Sequence, residues 1–593
     1  MTRRCLPWIL VCALLFGSTG CSLFSSPGPQ DALRAFADAL GRKDASAAGA
    51  TTDDQGAATA AITSMLNGMG KDATLTVGLS KPGDDDKTGR LAYSWSFGPN
   101  KTLTYDATAT ATQSGDDWRV HWETTVLNPK LQPGMTFQYS DDKNFLTPVT
   151  DRDGQPLLTW QTIGVVTLTR ERLDSAAALA NVLHAFDDTI TAESIAGQFA
   201  ATTDDRVTVV KLRQDDLATV RDQLGQIAGV SVAEQGALLT ANRDLSSPAL
   251  DGMQALWQKT IDASAGWSVT LVDDKGQPTE QLASTPPGDT PPIRTTLDLR
   301  LQSLAQQAVA NEARPAVLVA MSPSTGGILA AAQNAAANAQ GPIAFSGAYP
   351  PGSTFKTITT AAALQAGLAT PDTPEACPGT VTVENRTIPN EDEFDLGTVP
   401  LSTAFAKSCN TTMAALADQL PADALPKTAR LFGIGVDYVV PGLTTITGSV
   451  PNADTPAQKV ENGIGQGTVT VSPFGLAVAE ASLGHGSTVT PTLVVGQTTT
   501  ADTPSQPIPG PVTDDLRAMM LQTVSDGTAT ALQDVPGLGG KTGTAEFGDN
   551  THSHGWFAGI TGDIAFATLV VGGDTSTPAV AVSGDFLRPA VAG

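Results

Sequence analysis

Positive charge is scarce in this 593-residue sequence, in which 35 lysines and arginines are set against 60 aspartates and glutamates, for a formal net charge of −25. Such an acidic chain is repelled by nucleic acids and anionic membrane surfaces, which argues against both as partners. Beyond residue 21, no apolar stretch approaches the ~20 residues needed to span a bilayer. Hydrophobic residues make up 41% of the chain and charged residues 16%, which is typical of globular domains, and the length suggests about three or four of them.

Cysteine is also scarce, with five in the whole chain, and one of them ends an N-terminal targeting segment. Arg3 and Arg4 give this segment a basic start, residues 8–16 are apolar, and the small residues 17–20 lead to Cys21. Small residues immediately before a cysteine resemble a bacterial lipoprotein signal, which is cleaved before the cysteine that then carries lipid.

Ser18 departs from that pattern, because leucine is usual three residues before the cysteine. A plain secretory signal or an uncleaved anchor is the alternative. We expect residues 1–20 to be removed, Cys21 to be lipid-modified and residues 21–30 to form a tether. The protein is then held at the extracytoplasmic face of a bacterial membrane.

Ser353 and Lys356 form the first of three short motifs. Residues 350–352, two prolines and a glycine, end one segment, and residues 354–365 predict a helix. Residues three apart share a helix face, so the Ser353 hydroxyl and the Lys356 amine can meet. A desolvated lysine can take a serine proton, and amides at a helix N-terminus can stabilise an oxyanion. Alone, Ser-x-x-Lys also occurs by chance in a chain of this length.

Ser408 and Asn410 form the second motif. They lie between a largely apolar segment, residues 399–406, and a predicted helix, residues 411–420. A hydroxyl and an amide two apart in a helix–helix turn can face one cleft, where they relay a proton and hold a substrate carbonyl. By itself the pattern is more typical of a helix cap or an Asx-turn.

The third motif follows two glycines and consists of Lys541, Thr542, Gly543 and Thr544. With residues 555–560 and 564–571 it predicts a meander of three strands. A glycine inside a strand often marks close approach by another backbone. A peptide could then bind along this strand, with the lysine and the two hydroxyls near its carboxylate. A glycine bulge without a ligand is the alternative.

In this order, the three motifs resemble those of the penicilloyl serine transferases, which are the penicillin-binding proteins and class A β-lactamases. Residues 295–298, 317–321 and 325–330 are similar to the opening and the first two strands of their catalytic domain. Residues 463–467, ahead of a Ser-Pro helix start at residue 472, are similar to their glycine-rich segment. The resemblance implies a five-stranded antiparallel sheet with helices on both sides.

The chain is therefore predicted to be α+β and multidomain. Residues 31–142, helices followed by strands, resemble the NTF2-like domain of methicillin-resistance-type penicillin-binding proteins. Residues 143–290 resemble the mixed α/β dimerisation-like domain of class B penicillin-binding proteins and include an Asp-Gly hairpin at 150–158. Residues 291–593 resemble the transpeptidase domain.

The function that this resemblance implies is that of a class B penicillin-binding lipoprotein that cross-links peptidoglycan. Ser353 then attacks the carbonyl between the terminal D-alanines of a donor stem peptide, and Lys356 takes its proton. Ser408 carries a proton towards the leaving amine, and Asn410 holds a substrate amide. The third motif binds the terminal carboxylate, and the amides of Ser353 and Thr544 form the oxyanion hole. An amine of a second stem releases the acyl-enzyme, whereas β-lactams, which mimic D-Ala-D-Ala, leave the serine acylated.

Other functions stay open. A D,D-carboxypeptidase differs only in its acceptor, and a non-catalytic cell-wall scaffold does not require three intact motifs. A class A β-lactamase requires a water-activating glutamate between the second and third motifs, and none is evident; two further domains would also be unexplained. No glycosyltransferase motif is found, so a separate glycan polymerase is expected as a partner.

No metal or organic cofactor is expected. His552 and His554 lie in a segment predicted to connect two strands. Two histidines without a third ligand do not make a zinc site, and we expect both to be solvated.

Cys377 and Cys409 are the cysteines of the exported domains, because Cys5 and Cys12 are lost with the signal. Such a pair is either a disulfide or two separate buried thiols. A disulfide would close a loop of about thirty residues, worth roughly 3–4 kcal/mol in the chain-entropy model. It would also hold the second motif in register.

Lipid attachment at Cys21 gives the first testable prediction. Cys21→Ala is expected to abolish incorporation of labelled fatty acid and to leave unprocessed precursor, because the modified side chain is gone. Metabolic labelling followed by mass spectrometry of the N-terminus measures both effects. Fatty acid attached to the variant would place the anchor elsewhere.

Overall fold

The computed structural model describes residues 28–81, 84–548 and 551–592. Cys21, the targeting segment and most of the predicted tether therefore lie outside the described residues. Helix α1 begins at Pro29, inside the predicted tether, because proline is favoured in the first helical turn. None of the helices in the described ranges is both long and apolar enough to cross a bilayer.

Residues 28–144 contain three helices and five strands. They are α1 (Pro29–Gly41), α2 (Ala45–Ala50), α3 (Gln55–Met69), β1 (Thr74–Ser80), β2 (Thr88–Ser96), β3 (Thr102–Ser114), β4 (Asp117–Val120) and β5 (Thr136–Asp142), with a 3₁₀ turn at Thr124–Val126. Strands β1 to β4 form an antiparallel meander. Leu33, Phe36, Ala37 and Leu40 recur at helical spacing on α1 and are buried, so this helix covers one face of the sheet.

Residues 145–289 follow with helices, long strands and short 3₁₀ turns. They are β6 (Val149–Thr150), β7 (Pro156–Thr169), α4 (Ala176–Leu183), α5 (Ala192–Ala200), β8 (Arg206–Arg213), α6 (Gln214–Gly225), β9 (Val230–Thr240), α7 (Met253–Ala263), β10 (Gly266–Val272) and β11 (Pro278–Thr285), with 3₁₀ turns at Arg170–Ser175 and Pro248–Leu250. The predicted hairpin is present between β6 and β7: Asp151 Oδ1 accepts from the amides of Asp153 and Gln155, and Gly154 has a φ of +87°.

The strand pairing of residues 264–289 does not follow the predicted domain boundaries. Strand β10 pairs with β11 on one side and with β5 on the other. By its internal contacts the chain forms two compact units: residues 28–144 with 264–289, and residues 145–263 with 290–592. The predicted second domain thus gives its last two strands to the sheet of β5. The three-domain division itself stays a prediction.

Residues 290–592 contain the remaining elements. They are β12 (Ile293–Arg294), α8 (Leu299–Ala310), β13 (Ala316–Met321), β14 (Ile328–Gln333), α9 (Ala335–Asn338), α10 (Ile343–Ser346), α11 (Lys356–Gln365), β15 (Pro374–Cys377), β16 (Thr380–Val383), β17 (Arg386–Pro389), β18 (Gly397–Pro400), α12 (Leu401–Ala406), α13 (Asn410–Gln419), α14 (Ala424–Leu431), β19 (Tyr438–Val439), β20 (Gly448–Ser449), α15 (Pro456–Gly463), β21 (Thr470–Val471), α16 (Pro473–His485), β22 (Thr500–Ala501), α17 (Gly510–Ser525), β23 (Gly539–Phe547), β24 (His552–Thr561), β25 (Ile564–Val570) and α18 (Thr577–Val591), with 3₁₀ turns at Gly352–Phe355, Glu391–Glu393 and Thr530–Leu532.

A five-stranded antiparallel sheet organises this part of the chain, in the order β14-β13-β25-β24-β23. Helices α8 and α18 pack on one face, and α16 packs on the other. Strands β13 and β14 are buried along their whole length, as expected for a sheet covered on both faces. The predicted α+β class and the predicted sheet are confirmed, and β23, which carries the third motif, is an edge strand.

Glu480 is the one carboxylate in the described residues that is buried with an unpartnered oxygen. It lies on α16 with 1% of its surface exposed, and its Oε2 has no hydrogen-bond partner. Burial raises the pKa of its carboxyl group to about 8. The folded protein therefore keeps a proton on Glu480 that the unfolded chain loses at lower pH.

Stability should accordingly fall as the pH rises from the unfolded pKa of a glutamate towards the folded pKa, since only the unfolded chain releases the proton in that window. Glu480→Gln removes this cost and is expected to stabilise the protein by up to about 3 kcal/mol at pH 7. Calorimetry between pH 4 and pH 9, with the exposed Glu171→Gln as control, measures the difference. A constant difference at all pH values would contradict the raised pKa.

Candidate active site

Ser353 lies in the 3₁₀ turn Gly352–Phe355, which runs directly into α11. Gly352 has a φ of +54°, and a Cβ atom there would come within 2.4 Å of the Thr544 carbonyl oxygen. The Gly352 amide donates to the Gly465 carbonyl at 2.9 Å, within the glycine-rich segment found in the sequence. Glycine is needed at position 352 because the turn packs against β23 in a left-handed conformation. This packing places Ser353 beside the edge strand.

Lys356 is fully buried and donates three hydrogen bonds to the second motif. Its Nζ lies 2.7 Å from the Ser408 carbonyl oxygen, 3.2 Å from Ser408 Oγ and 2.5 Å from Asn410 Oδ1. Ser353 Oγ has no hydrogen-bond partner within the described ranges. Within the described residues, Ser353 and Lys356 are therefore not joined by a side-chain hydrogen bond, and the amine donates to the Ser408–Asn410 turn instead.

Ser408 takes an unusual backbone conformation that directs it into the site. The Cys409 amide donates to the Ala404 carbonyl at 2.8 Å, and the Ser408 amide donates to the Phe405 carbonyl at 3.0 Å. This pair of bonds is a Schellman ending of α12, with Ser408 at the left-handed position that usually holds glycine. Its φ is +63°, which costs a non-glycine residue about 1 kcal/mol. The predicted helix–helix turn is present, and α13 starts at Asn410.

Lys541 approaches the same serine from the edge strand β23. Its side chain is fully buried, and Nζ lies 2.9 Å from Ser408 Oγ and 3.0 Å from the Thr542 carbonyl oxygen. The ammonium group also lies 5.8 Å from the centre of the Phe405 ring. Ser408 Oγ therefore joins the two lysines of the first and third motifs in one hydrogen-bonded row.

Burial dominates the electrostatics of this row. It lowers the pKa of Lys541 to about 7. It lowers the pKa of Lys356 well below its usual value, and the charge of Lys541 lowers that pKa further. The Glu391 carboxylate raises the pKa of both lysines but does not cancel the cost of burial. Near neutral pH the pair therefore holds fewer than two positive charges, so that one amine is available as a base.

Gly543 packs against the turn of the nucleophile. A Cβ atom there would lie 2.8 Å from the Pro351 carbonyl oxygen and 3.1 Å from the Thr354 amide nitrogen. The close approach that this glycine permits is therefore made by the 3₁₀ turn. The expectation that Gly543 accommodates a peptide backbone is not supported, because its missing side chain points towards the turn.

The motif residues border one cleft of about 490 Å³, namely Ser353, Ser408, Asn410, Thr542 and Thr544. Lys356 and Lys541 are hydrogen-bonded to Ser408, which borders the cleft. Within the described residues, β23 pairs only with β24, so the strand edge carrying the third motif is open. A peptide with a carboxylate end could pair along such an edge.

The sequence motifs did not indicate three further residues that line the cleft, namely Asn390, Glu391 and Thr528. Thr528 Oγ1 lies 2.5 Å from Thr542 Oγ1. Asn390 is buried behind the second motif, and Glu391 is the carboxylate that influences both lysines. No motif marks these residues, since their contacts join segments distant in sequence.

Cys377 and Cys409 are joined in the structure by a disulfide bond with Cα atoms 6.2 Å apart. Both cysteines are fully buried, in a small cluster with Ala404. The bond ties the end of β15 to the residue between Ser408 and Asn410. The loop that it closes carries β16, β17 and the acidic turn Glu391–Glu393.

The two histidines differ from expectation. Both lie on β24, and His554 is buried, with its ring stacked 4.1 Å from that of Phe547. Burial lowers the pKa of His554 to about 4. His552 is exposed. The expectation of two solvated histidines is therefore wrong for His554, because β24 starts earlier than predicted and draws this residue into the sheet.

The described geometry has counterparts in known families. Residues 316–590 match the family model of the penicillin binding protein transpeptidase domain. Residues 28–135 match that of the NTF2-like N-terminal transpeptidase domain. The fold and the site therefore define a penicillin-binding transpeptidase domain that follows an NTF2-like domain.

The chain combines a domain that matches the penicillin binding protein transpeptidase family with one that matches the NTF2-like N-terminal family. It is 32% identical over 326 residues to the peptidoglycan D,D-transpeptidase PbpA of Mycolicibacterium smegmatis, a match that covers 46% of this chain and 64% of PbpA. It is 25% identical to the peptidoglycan D,D-transpeptidase MrdA of Acinetobacter baumannii, over 50% of each chain. The chain thus spans less than two thirds of these relatives.

A solved structure supports the fold. The complex between penicillin-binding protein PBP2 and MreC from Helicobacter pylori contains a chain that superposes with a TM-score of 0.58 at 18% identity, covering 77% of this chain and 99% of that one. At this identity the likeness bears on the fold alone.

The influence of Glu391 on the lysine pair gives a direct prediction. Glu391→Gln is expected to lower the pKa of both Lys356 and Lys541, and to move that of Lys541 below about 7, because the stabilising negative charge is removed. NMR titration of protein labelled at the lysine ε-carbons measures this shift. Glu393→Gln, in the same acidic turn, is the matched control and should leave both values in place. Equal pKa shifts in the two variants would show that Glu391 has no specific effect on the lysines beyond that of any carboxylate in this turn.

Proposed function

We propose that this protein is a serine-type D,D-transpeptidase that cross-links peptidoglycan stem peptides through an acyl-enzyme at Ser353. The observation that carries the proposal is the row Lys356–Ser408–Lys541, which is buried at the cleft that Ser353 borders. A serine needs a neighbouring base to become a nucleophile. A desolvated amine with a depressed pKa supplies one without a histidine or a metal.

Acylation begins with proton transfer from Ser353. Lys356 in its ammonium form donates all three of its hydrogens to Ser408 and Asn410. The neutral amine donates two and keeps a lone pair that can accept the Ser353 proton. Ser353 Oγ then bonds to the carbonyl carbon of the penultimate D-alanine, and the bond from that carbon to the terminal D-alanine nitrogen breaks. Ser408, in contact with both lysines, passes the proton to the leaving amine.

The third motif binds the terminal carboxylate of the donor. Lys541 offers positive charge, and the hydroxyls of Thr542 and Thr544 border the cleft as further donors. Asn410 keeps one N–H for a substrate carbonyl, because its Nδ2 uses the other for Pro389 O at 2.7 Å. The amides of Ser353 and Thr544 stabilise the tetrahedral oxyanion.

Release completes the cycle. The amine of a second stem attacks the acyl carbon, the bond to Ser353 Oγ breaks, and the serine regains its proton from that amine through the same lysine. A D,D-carboxypeptidase would use water in place of the amine. β-Lactams, which imitate the D-Ala-D-Ala end, acylate Ser353 and are expected to remain attached.

The location and partners follow from the same proposal. Lipid attached at Cys21 would hold the protein at the extracytoplasmic face of the membrane, where stem peptides ending in D-Ala-D-Ala are exposed. A separate protein would polymerise the glycan strands. No cofactor is required, because the buried lysine acts as the base.

Covalent labelling tests the proposal. Fluorescent penicillin is expected to label the mature chain, and Ser353→Ala is expected to abolish the label. Ser402→Ala, on α12 and outside the cleft, should label normally. Incubation with a D-Ala-D-Ala stem peptide and an amine acceptor should give a cross-linked product by mass spectrometry. Hydrolysed peptide alone would indicate a carboxypeptidase, and labelled Ser353→Ala would overturn the assignment of the nucleophile.

A further inference from the structure

Asn390 is a buried amide that joins the start of α13 to the loop closed by the Cys377–Cys409 disulfide. It is 2% exposed and follows β17 directly. Its Oδ1 accepts from the amide of Asn410 at 2.8 Å and from the amide of Thr411 at 3.1 Å. These are the first two residues of α13, so Asn390 caps that helix from twenty residues away in sequence.

The other end of the same side chain fixes the loop. Its Nδ2 donates to the Pro378 carbonyl at 2.9 Å and to the Phe394 carbonyl at 2.8 Å. Pro378 follows the disulfide residue Cys377, and Phe394 follows the acidic turn that contains Glu391. One amide thus connects the start of α13, the disulfide and the turn whose charge influences both lysines.

The backbone beside Asn390 orients the Asn410 side chain. Asn410 Nδ2 donates to the Pro389 carbonyl at 2.7 Å, while Asn410 Oδ1 accepts from Lys356 Nζ at 2.5 Å. If the Asn390 bonds are lost, Pro389 and the start of α13 are free to move apart. Asn410 then loses both its orientation and its alignment with Lys356.

We propose that Asn390 is a positioning residue for acylation, which acts by holding Asn410 against Lys356. This inference rests on the proposed function, since it concerns the base of that reaction. Buried polar networks whose members are all satisfied specify one geometry, whereas a partly satisfied network does not. The Asn390 side chain directs its hydrogen bonds to Asn410, Thr411 and the loop, so it acts through Asn410 and the α13 N-terminus.

The chain contains a matched control at the β14 edge of the five-stranded sheet. Asn334 is also buried, and its Oδ1 accepts from the amides of Ala316 and Ala337. Its Nδ2 donates to the carbonyls of Glu312 and Arg314. Asn334 thus makes the same four kinds of bond and also caps a helix, but it follows β14, at the sheet edge opposite β23.

The experiment compares Asn390→Ala with Asn334→Ala in the full mature chain. Both variants are expected to lose similar stability, because each removes two hydrogen bonds accepted from backbone amides and two donated to backbone carbonyls. Only Asn390→Ala should slow acylation by fluorescent penicillin, by up to about 100-fold, since misplaced catalytic groups cost rate. Rates are measured on the folded fraction determined by circular dichroism.

A pH profile separates positioning from general destabilisation. Asn410 Oδ1 stabilises the ammonium form of Lys356, so weakening that bond should lower the pKa of the base. The charge of Lys541 also lowers this pKa, and Glu391 raises it, so a displacement of the turn away from the lysines would lower the pKa further. The acid limb of the acylation rate should move to lower pH by up to about one unit in Asn390→Ala. In Asn334→Ala the acid limb of the acylation rate should lie at the same pH as in the unmodified protein.

The outcomes are distinct. Loss of rate with a displaced acid limb in Asn390→Ala alone supports the inference, whereas equal rates or an unmoved limb in both variants overturns it. If Asn390→Ala does not fold, Asn390→Asp, which keeps the acceptor for both helix amides but loses both donors, is compared with Asn334→Asp by the same criteria. Failure of the unmodified protein to be acylated would instead refute the proposed function.

Discussion

Two lysines buried around one serine are the constraint on which the rest of the site depends. An ammonium group removed from water is destabilised unless acceptors surround it, and a second one nearby adds repulsion. Ser408 Oγ, its own carbonyl and Asn410 Oδ1 supply those acceptors. They satisfy the charge without restoring the pKa of a solvated lysine. The structure can therefore keep an amine with a depressed pKa near neutral pH.

The backbone around Ser408 shows how that geometry is maintained. A serine in a left-handed conformation is unfavourable, and it persists where the surroundings fix it. Here α12 ends and α13 begins on either side of it, the disulfide ties the next residue to β15, and Asn390 caps α13. On the other side, Gly352 and Gly543 let the 3₁₀ turn approach β23 closely. The five-stranded sheet thus aligns the first and third motifs. The loop closed by the disulfide aligns the second motif, Ser408 and Asn410.

The family models, the relatives and the superposed structure each support a different part of the assignment. The two family models match a transpeptidase domain and an NTF2-like domain. The match to the relatives covers 64% of PbpA and 50% of MrdA. The chain that superposes from the Helicobacter pylori complex shares the fold at 18% identity. The likeness to known families thus extends over two separate parts of the chain, residues 28–135 and 316–590. The proposed activity rests on the geometry of Ser353, Ser408 and the two lysines.

The sequence alone determined the three motifs, because these depend on local spacing: Ser353 before a helical run, Ser408 and Asn410 between two helices, and Lys541 on a strand of a meander. The five-stranded sheet and the expected class of protein came from the family resemblance that these motifs carry. The sequence also placed Cys377 and Cys409 in one exported domain, but left open whether they are bonded. Only the tertiary structure decided that Lys356 faces Ser408 rather than Ser353, that Gly543 packs on the nucleophile turn, and that residues 264–289 pair with β5. It alone brought Asn390 and Glu391 to the site. The physical reason is that these contacts join segments far apart in the chain, where burial and packing, rather than local propensity, set the partner of each side chain.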